Sequence, residues 1–529
     1  MNKDAAIVLL ENLLERAAEA GGRMYITSRE IEAISVLLGG TGGLVHPVAA
    51  FAAEHTLLLE PVLVDEKDIV ADAMLCIDFG TSFSKAFACI DGAGDLPEVI
   101  DLPIGTYGGG SHPLVTPSEM LIDGGNIYFG GFARKLFDDS EAVNERLIDS
   151  MKQYMTLGAD VGNLSKIRVD PDKDPDQRFY QRDILVLYLA HLTRLTEKAL
   201  EERGLSGNVR RRFAHPAWTD EHRKSNQTEM TTMMAAAIVL ARTLGDRLLD
   251  NIPTRTARDL LDQLKNMNDV PMNLIAEPVR EATAAGAGAL LGVRENRREA
   301  HIIVDIGAGT TDVAGCYCVN NPDWDRPRVF EVEGAAKAIK SAGNVLDNGL
   351  TRLILERSGL VEGSAEHRAA TSFLNRAKRS FKERLFDDGR LLVELPTGEF
   401  VDIGLQDFLD FPVVRRFTDS LKKLVTDASA AIAGDQSSIV MVATGGGAKL
   451  PMLREIAEQG VNCNDRRISF TWREPSPPGL GEVYPDLVEP YPQIAVAVGG
   501  ALPRLPEQRS SVAFGLSNAP KHEIVHGYK

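Results

Sequence analysis

Two stretches of this chain repeat one pattern, and that repetition restricts the fold more than any other feature. Residues 74–88 read MLCIDFGTSFSKAFA. An apolar run closes on Asp78, a tight Phe79-Gly80-Thr81-Ser82 turn follows, and Phe83, Lys85 and Phe87 then alternate with small residues. Residues 301–314 read HIIVDIGAGTTDVA: an apolar run closes on Asp305, the turn runs through Gly307, Ala308 and Gly309, and Thr310, Thr311 and Asp312 follow. Each stretch predicts a strand, a hairpin and a strand with a carboxylate at the tip. Gly80 can take dihedrals closed to residues with a side chain, so backbone N–H groups can close around a phosphate. One such turn is also an ordinary tight turn. Two in one chain predict two similar lobes face to face, with a nucleotide's phosphates between them and Asp78 and Asp305 on either side of one metal ion. A third stretch, SIVMVATGGGAKLP at 438–451, predicts a buried strand running into Gly445, Gly446 and Gly447, where bare backbone can approach a base or ribose.

In order and content these motifs, with two connecting helices, resemble the actin-like ATPase superfamily. Within it they resemble the nucleotide-binding domain of the 70-kDa heat-shock (DnaK-type) chaperones, over roughly residues 73–503. The resemblance implies a two-lobed, ribonuclease H-like α/β fold. Residues 1–72 are then an N-terminal extension, 73–292 lobe I, 293–485 lobe II with the adenosine motifs, 486–504 a helix returning to lobe I, and 505–529 a tail. It implies ATP and ADP as ligands, Mg²⁺, and slow hydrolysis. By the same resemblance Asp78 and Asp305 position the metal through water, and Thr81 and Thr310 touch the γ-phosphate. Lys152, in DSMKQYM, and Glu277, in the Glu-Pro pair of NLIAEP, guide the attacking water.

Phosphate contacts are expected from Gly80, Ser82, Phe83, Gly307, Ala308, Gly309, Thr311 and Gly343, the last opening a helix at AGNVLD. The adenosine side is expected to use Lys378, Arg379 and Lys382 of NRAKRSFK, with Gly446, Gly447 and Lys449. The chain departs from the family at several of these positions: Phe83 stands for a tyrosine, Asn375 for a glutamate, Lys382 for a serine, Lys449 for an arginine and Gln493 for an aspartate. An ammonium stacks on adenine less well than a guanidinium, so Lys449 predicts weaker nucleotide affinity. Small residues at Ala284–Ala289 and Ala495–Ala501 predict two connecting helices that cross closely.

At 529 residues, two or more domains are expected. A net charge of −17 argues against a general nucleic-acid or anionic-membrane surface. The five cysteines form no metal-ligand quartet and fit a reducing cytoplasm; Cys316 and Cys318 should share one strand face as buried thiols. Ile7, Leu10, Leu13, Leu14 and Ala17 recur at helical spacing, Gly39–Gly43 reads as a flexible connection, and Thr56–Val64 as a strand. The apolar run at 5–10 is too short for a signal peptide, and that at 230–241 too short to span a bilayer. No peptide-binding half is expected after residue 504, so a protein partner or co-chaperone is expected to read the nucleotide state, and oligomers are compatible. Two alternatives accompany this reading: an actin-like filament protein, and a small-molecule kinase, which requires a general base facing a substrate pocket.

Overall fold

In the computed structural model the described residues are 57–502, apart from 92–96, 111, 140–145, 157–158, 217, 219, 290–296, 322–327, 435 and 464, together with 505 and 507–508. The expected N-terminal helix, the glycine connection at 39–43 and the tail from 509 lie outside them. The described residues from Leu58 onward form one compact unit.

The first hairpin is as expected. Strand β1, Val70–Asp78, pairs antiparallel with β2, Phe83–Ile90, placing Asp78 opposite Lys85. β2 pairs antiparallel with β3, Glu98–Asp101. On its other edge β1 is parallel to β4, Val209–His215, and β4 is parallel to the two-residue β5, Val279–Arg280, giving the order β5-β4-β1-β2-β3. A separate sheet is built from Met120–Asp123, Asn126–Phe129 and Leu147–Ile148, which lie between β3 and β4 in the chain, and Asn251–Pro253, which follows β4; helix α1, Gly130–Asp139, flanks it. Helix α2, Gln181–Glu202, runs beside α3, Asp220–Leu244. The wholly buried Arg211 of β4 bonds Glu197 of α2 at 3.3 Å, so α2 lies on the sheet. Helix α4, Glu281–Gly288, follows β5.

The second hairpin repeats this plan. β6, Arg297–Ile306, pairs antiparallel with β7, Thr311–Asn320, and β7 with β8, Arg328–Glu331, while β9, Lys337–Ile339, also lies on β7. Helices α5, Gly343–Ser358, α6, Ala365–Asp388, and α7, Pro412–Ile432, come next. β10, Ser438–Thr444, lies parallel to β6, and β12, Arg466–Arg473, parallel to β10 with β11, Val461–Cys463, at its edge. The core order β12-β10-β6-β7-β8 matches β5-β4-β1-β2-β3, parallel and antiparallel partners included. One central strand with an antiparallel hairpin on one side and parallel crossovers on the other is thus used twice.

Helix α8, Tyr491–Gly500, crosses α4 so closely that a Cβ at Gly499 would lie 1.8 Å from the Ala284 carbonyl oxygen. Gly500 abuts Cys76 of β1 and Gly286 abuts Ile303 of β6, so this helix pair fills the space between the two sheets as one apolar core. Small residues are needed here because backbone meets backbone.

Several expectations change. Residues 57–64 form no strand, and Thr56 lies outside the described residues; two of the N–H groups there go to side chains, Leu59 to Gln263 and Glu60 to Thr243, both at 3.0 Å. A boundary at 72 falls inside β1. The segment that carries Lys152 is a short strand, Leu147–Ile148, followed by a 3-10 turn, Met151–Met155. Cys316 and Cys318 are buried on one strand face with sulfurs 3.9 Å apart, as expected. No described helix is long and apolar enough to cross a membrane.

Candidate functional site

The two hairpin tips meet. A Cβ at Gly309 would lie 2.8 Å from Cγ2 of Thr81 and 3.1 Å from Nε2 of Gln153, so only glycine lets the second turn approach the first this closely. Each turn is tight in itself. A Cβ at Gly80 would strike the Phe83 carbonyl oxygen, and the Gly307 N–H donates to the Thr310 carbonyl at 3.0 Å. Thr81 and Thr310 are both buried at the meeting point.

Carboxylates collect beneath the tips. Asp78 is buried and accepts from Lys85 Nζ at 3.1 Å. Asp305 is buried and accepts from Thr444 Oγ1 at 3.0 Å, at the end of β10. Asp312 faces Asp305 across the β6–β7 ladder and is buried too. Glu281, the first residue of α4, lies 2.6 Å from Lys152 Nζ, both side chains buried. Burial pushes the Glu281 carboxyl up to about 8; the Lys152 ammonium opposes the rise, and Asp312, Asp78 and Asp305 add to it. Burial likewise lifts Asp305 to about 6, reinforced first by Asp312. For Lys152, burial favours the neutral amine, but Glu281 and Asp78 together outweigh it and its pKa rises, so it stays charged. The interaction between these groups places Asp78, Lys152, Glu281, Asp305 and Asp312 in one electrostatic cluster.

Local geometry explains Lys152. Ser150 takes the left-handed conformation, φ 55°, which turns the chain into the 3-10 segment carrying Lys152. Trp218 Nε1 holds the far end of that segment by the Met155 carbonyl at 2.6 Å, its indole stacked on His215 at 4.3 Å.

Glu277, expected to guide water with Lys152, is exposed, and its carbonyl accepts from Arg212 at 3.0 Å. The carboxylate at the site is Glu281, one helical turn later. Pro278 and the two ladder residues of β5 delay the helix, so the group that projects inward is the one opening α4. Gly343 is also placed differently: its N–H donates to Gly307 O at 3.1 Å and that of Asn344 to Ala308 O at 2.7 Å, so the start of α5 is locked onto the second hairpin. Thr311 holds the same corner through Ser341 O at 2.7 Å.

On α6, Arg379 reaches the first hairpin, donating to Ser82 Oγ at 2.7 Å with its guanidinium 4.7 Å from the Phe83 ring centroid. Lys378 donates to Asn348 Oδ1 at 3.0 Å, and Lys382 pairs with buried Asp347 at 2.7 Å. In the glycine loop, a Cβ at Gly445 would lie 2.6 Å from Asp305 Oδ1, and Gly447 N–H donates to Ile306 O at 2.9 Å. Gly446 and Lys449 are exposed, with open space at Gly446. Of the expected residues, Asp78, Thr81, Lys152, Asp305, Gly309 and Thr310 are brought together; Glu277 is not. Glu281, Lys85, Gln153 and Thr444 join the site unannounced, whereas Asp312 was visible in the second motif's Thr-Thr-Asp.

No family model matches this chain, and no curated protein matches it.

Proposed function

We propose that this chain is a Mg²⁺-dependent ATP-binding and ATP-hydrolysing switch of the actin-like superfamily, similar in its motifs to the 70-kDa heat-shock ATPases. The observation that carries the reading is the contact of the Gly309 and Thr81 tips above four buried carboxylates and Lys152. The repeated strand order of the two sheets supports the two-lobed architecture.

The donor set fits a hydrated divalent cation. Buried negative charge in excess of buried positive charge is costly unless a cation joins it. Among the described residues no three His, Cys, Asp or Glu side chains converge as direct ligands. Asp78 and Asp305 would therefore hold Mg²⁺ through its waters, as expected of a hard ion that keeps part of its hydration shell. Bound there, the metal supplies charge neutralisation for the phosphate oxygens.

The chain's own groups then divide the work. Thr81, Thr310 and the Gly307–Gly309 turn position the γ-phosphate, and the Lys152 ammonium stabilises charge developing on it. Water attacks phosphorus, the bond to the bridging oxygen breaks, and Glu281 accepts the water's proton; its raised pKa suits a base working near neutrality. ADP and phosphate leave, and a protein partner reads the resulting change between the sheets.

Calorimetric titration of ATP and ADP, with and without Mg²⁺, tests this on wild type and Asp305→Ala. Wild type binds Mg²⁺–ATP, and the variant loses at least about tenfold in affinity, roughly 1.4 kcal/mol. Equal affinities in the two proteins sink the reading.

A further inference from the structure

Cys316 and Cys318 take no part in the hairpin tips. They stand five and seven residues beyond Thr311 on β7, so Cys316 lies roughly 17 Å from the tip at the rise of a strand. The ladder sets what surrounds them. His301 of β6 and Glu331 of β8 lie directly across from Cys316, and Glu299 of β6 lies across from Cys318. Residues paired in this way share one sheet face. Helix α4 covers that face, and beneath it is a void of about 10 Å³ bordered by both cysteines, His301, Thr283 and Gly286. Close-packed interiors leave few such spaces, and this one has room for a single atom-sized guest.

The other polar groups here are already engaged. Glu331 accepts from Arg280 at 2.6 Å, and Glu299 accepts from Arg473 at 2.8 and 3.0 Å. His301 Nε2 donates to Glu299 at 3.1 Å, which fixes the ring beside the void. The two thiols have each other, with 3.9 Å between the sulfurs. Neither is sealed off: 4% of Cys316 and 6% of Cys318 remain exposed, so a small ion can reach them.

Donor type and spacing narrow the guest. Thiolates are soft ligands and select soft cations. Zinc takes four ligands, and among the described residues no three metal-binding side chains converge, so a cation content with two sulfurs is favoured. Metal–sulfur bonds of about 2.3 Å span sulfurs up to about 4.6 Å apart, so the observed spacing needs no movement of the strand. A disulfide fits less well, since an extended strand holds residues two apart at about 6.8 Å between Cα atoms, the outer limit for that bond.

We infer that Cys316 and Cys318 form a two-thiolate site for the soft monovalent cation Cu(I), held between β7 and α4. Binding forms two copper–sulfur bonds and releases the two thiol protons to water, with no electron transferred. The Cys316 thiol and burial hold Cys318 well above its ordinary pKa, so it keeps its proton in the metal-free chain and binding strengthens as pH rises. The inference goes beyond nucleotide binding and stands or falls separately from it.

The test is anaerobic titration of the full chain with Cu(I) in competition with the chromophoric chelator bicinchoninate, followed by X-ray absorption at the copper edge. Wild type takes up one Cu(I) per chain, and the bound copper has two sulfur neighbours. Cys316→Ser and Cys318→Ser each lose more than the roughly 10–100-fold in affinity that follows from altering a group one step behind a metal ligand. Cys463→Ser, on a different strand, and Asp305→Asn, in the nucleotide cleft, keep wild-type Cu(I) affinity. No uptake by wild type, fewer than two sulfur neighbours, unchanged affinity in either of the first two variants, or loss of binding in either control overturns the inference. Where a serine variant does not fold, the sulfur count on wild type and the Cys463→Ser control decide.

Discussion

At the scale of single residues, the buried Lys152–Glu281 pair has the most to lose. The Lys152 ammonium and the Glu281 carboxyl sit 2.6 Å apart with little access to water, so removing either leaves the other without its partner in the core. Breaking a buried pair of this kind costs about 3–5 kcal/mol. Lys152→Ala is therefore expected to lower the melting temperature markedly and to cut single-turnover hydrolysis by roughly 10²–10³-fold, the range seen when one preorganised charge-stabilising group is lost. Glu277→Gln, four residues before Glu281 but exposed, should leave both readouts unchanged; a hydrolysis defect there would restore the sequence expectation. The sequence expectation named Glu277, whereas the carboxyl that the structure sets against Lys152 is Glu281, and the difference has a definable reason. Glu277 carries the local signature, a glutamate before proline, whereas the inward direction of Glu281 depends on where α4 begins. That start is set by pairing of Val279 and Arg280 with Ala214 and His215 on a distant strand.

At the scale of elements, the strands and the close helix crossing were legible because their signals are local. Alternation and terminal aspartates marked β1, β2, β6 and β7, and runs of alanine and glycine marked α4 and α8. What stayed hidden depends on remote partners: residues 57–64 turn two N–H groups to Gln263 and Thr243, and the segment at 151–155 is tightened to a 3-10 turn anchored by Trp218. The crossing of α4 and α8 makes a sharp prediction. A methyl at Gly499 meets a carbonyl oxygen of backbone, which cannot swing aside as a side-chain tip would. Gly499→Ala should destabilise by about 1–3 kcal/mol, the ordinary cost of overpacking, and denaturant melts would register it as a lower midpoint with unchanged slope. Gly446→Ala is the control, since nothing lies within 4 Å of the added methyl. Equal stability of the two variants would show that the helices do not cross as closely as described.

At the scale of the whole molecule, two sheets of matching strand order put their acidic hairpins against each other, and that concentration of charge makes stability depend on pH in a calculable direction. Asp305 and Glu281 are raised to about 6 and about 8, chiefly by burial, while their unfolded counterparts titrate near 4. Between these limits the folded chain holds protons that the unfolded chain has released. Stability contributed by these groups is then complete below about pH 4 and falls as pH rises, first through 6 and then through 8. A divalent cation held through Asp305 and Asp78, close to Glu281, disfavours the protons on Asp305 and Glu281, so its stabilisation should grow over the same window. A chain of net charge −17 also attracts Mg²⁺ without any site, so melts must be compared at matched ionic strength. The expected result is a gap in melting temperature, with minus without Mg²⁺, that widens from about pH 5.5 to about pH 8.5 in wild type. In Asp305→Asn, which removes one titrating carboxyl and half of the paired grip, the gap should be small and nearly flat. A wild-type gap independent of pH, or an equal one in the variant, would mean that the cation is held by diffuse surface charge and that the facing hairpins do not grip it.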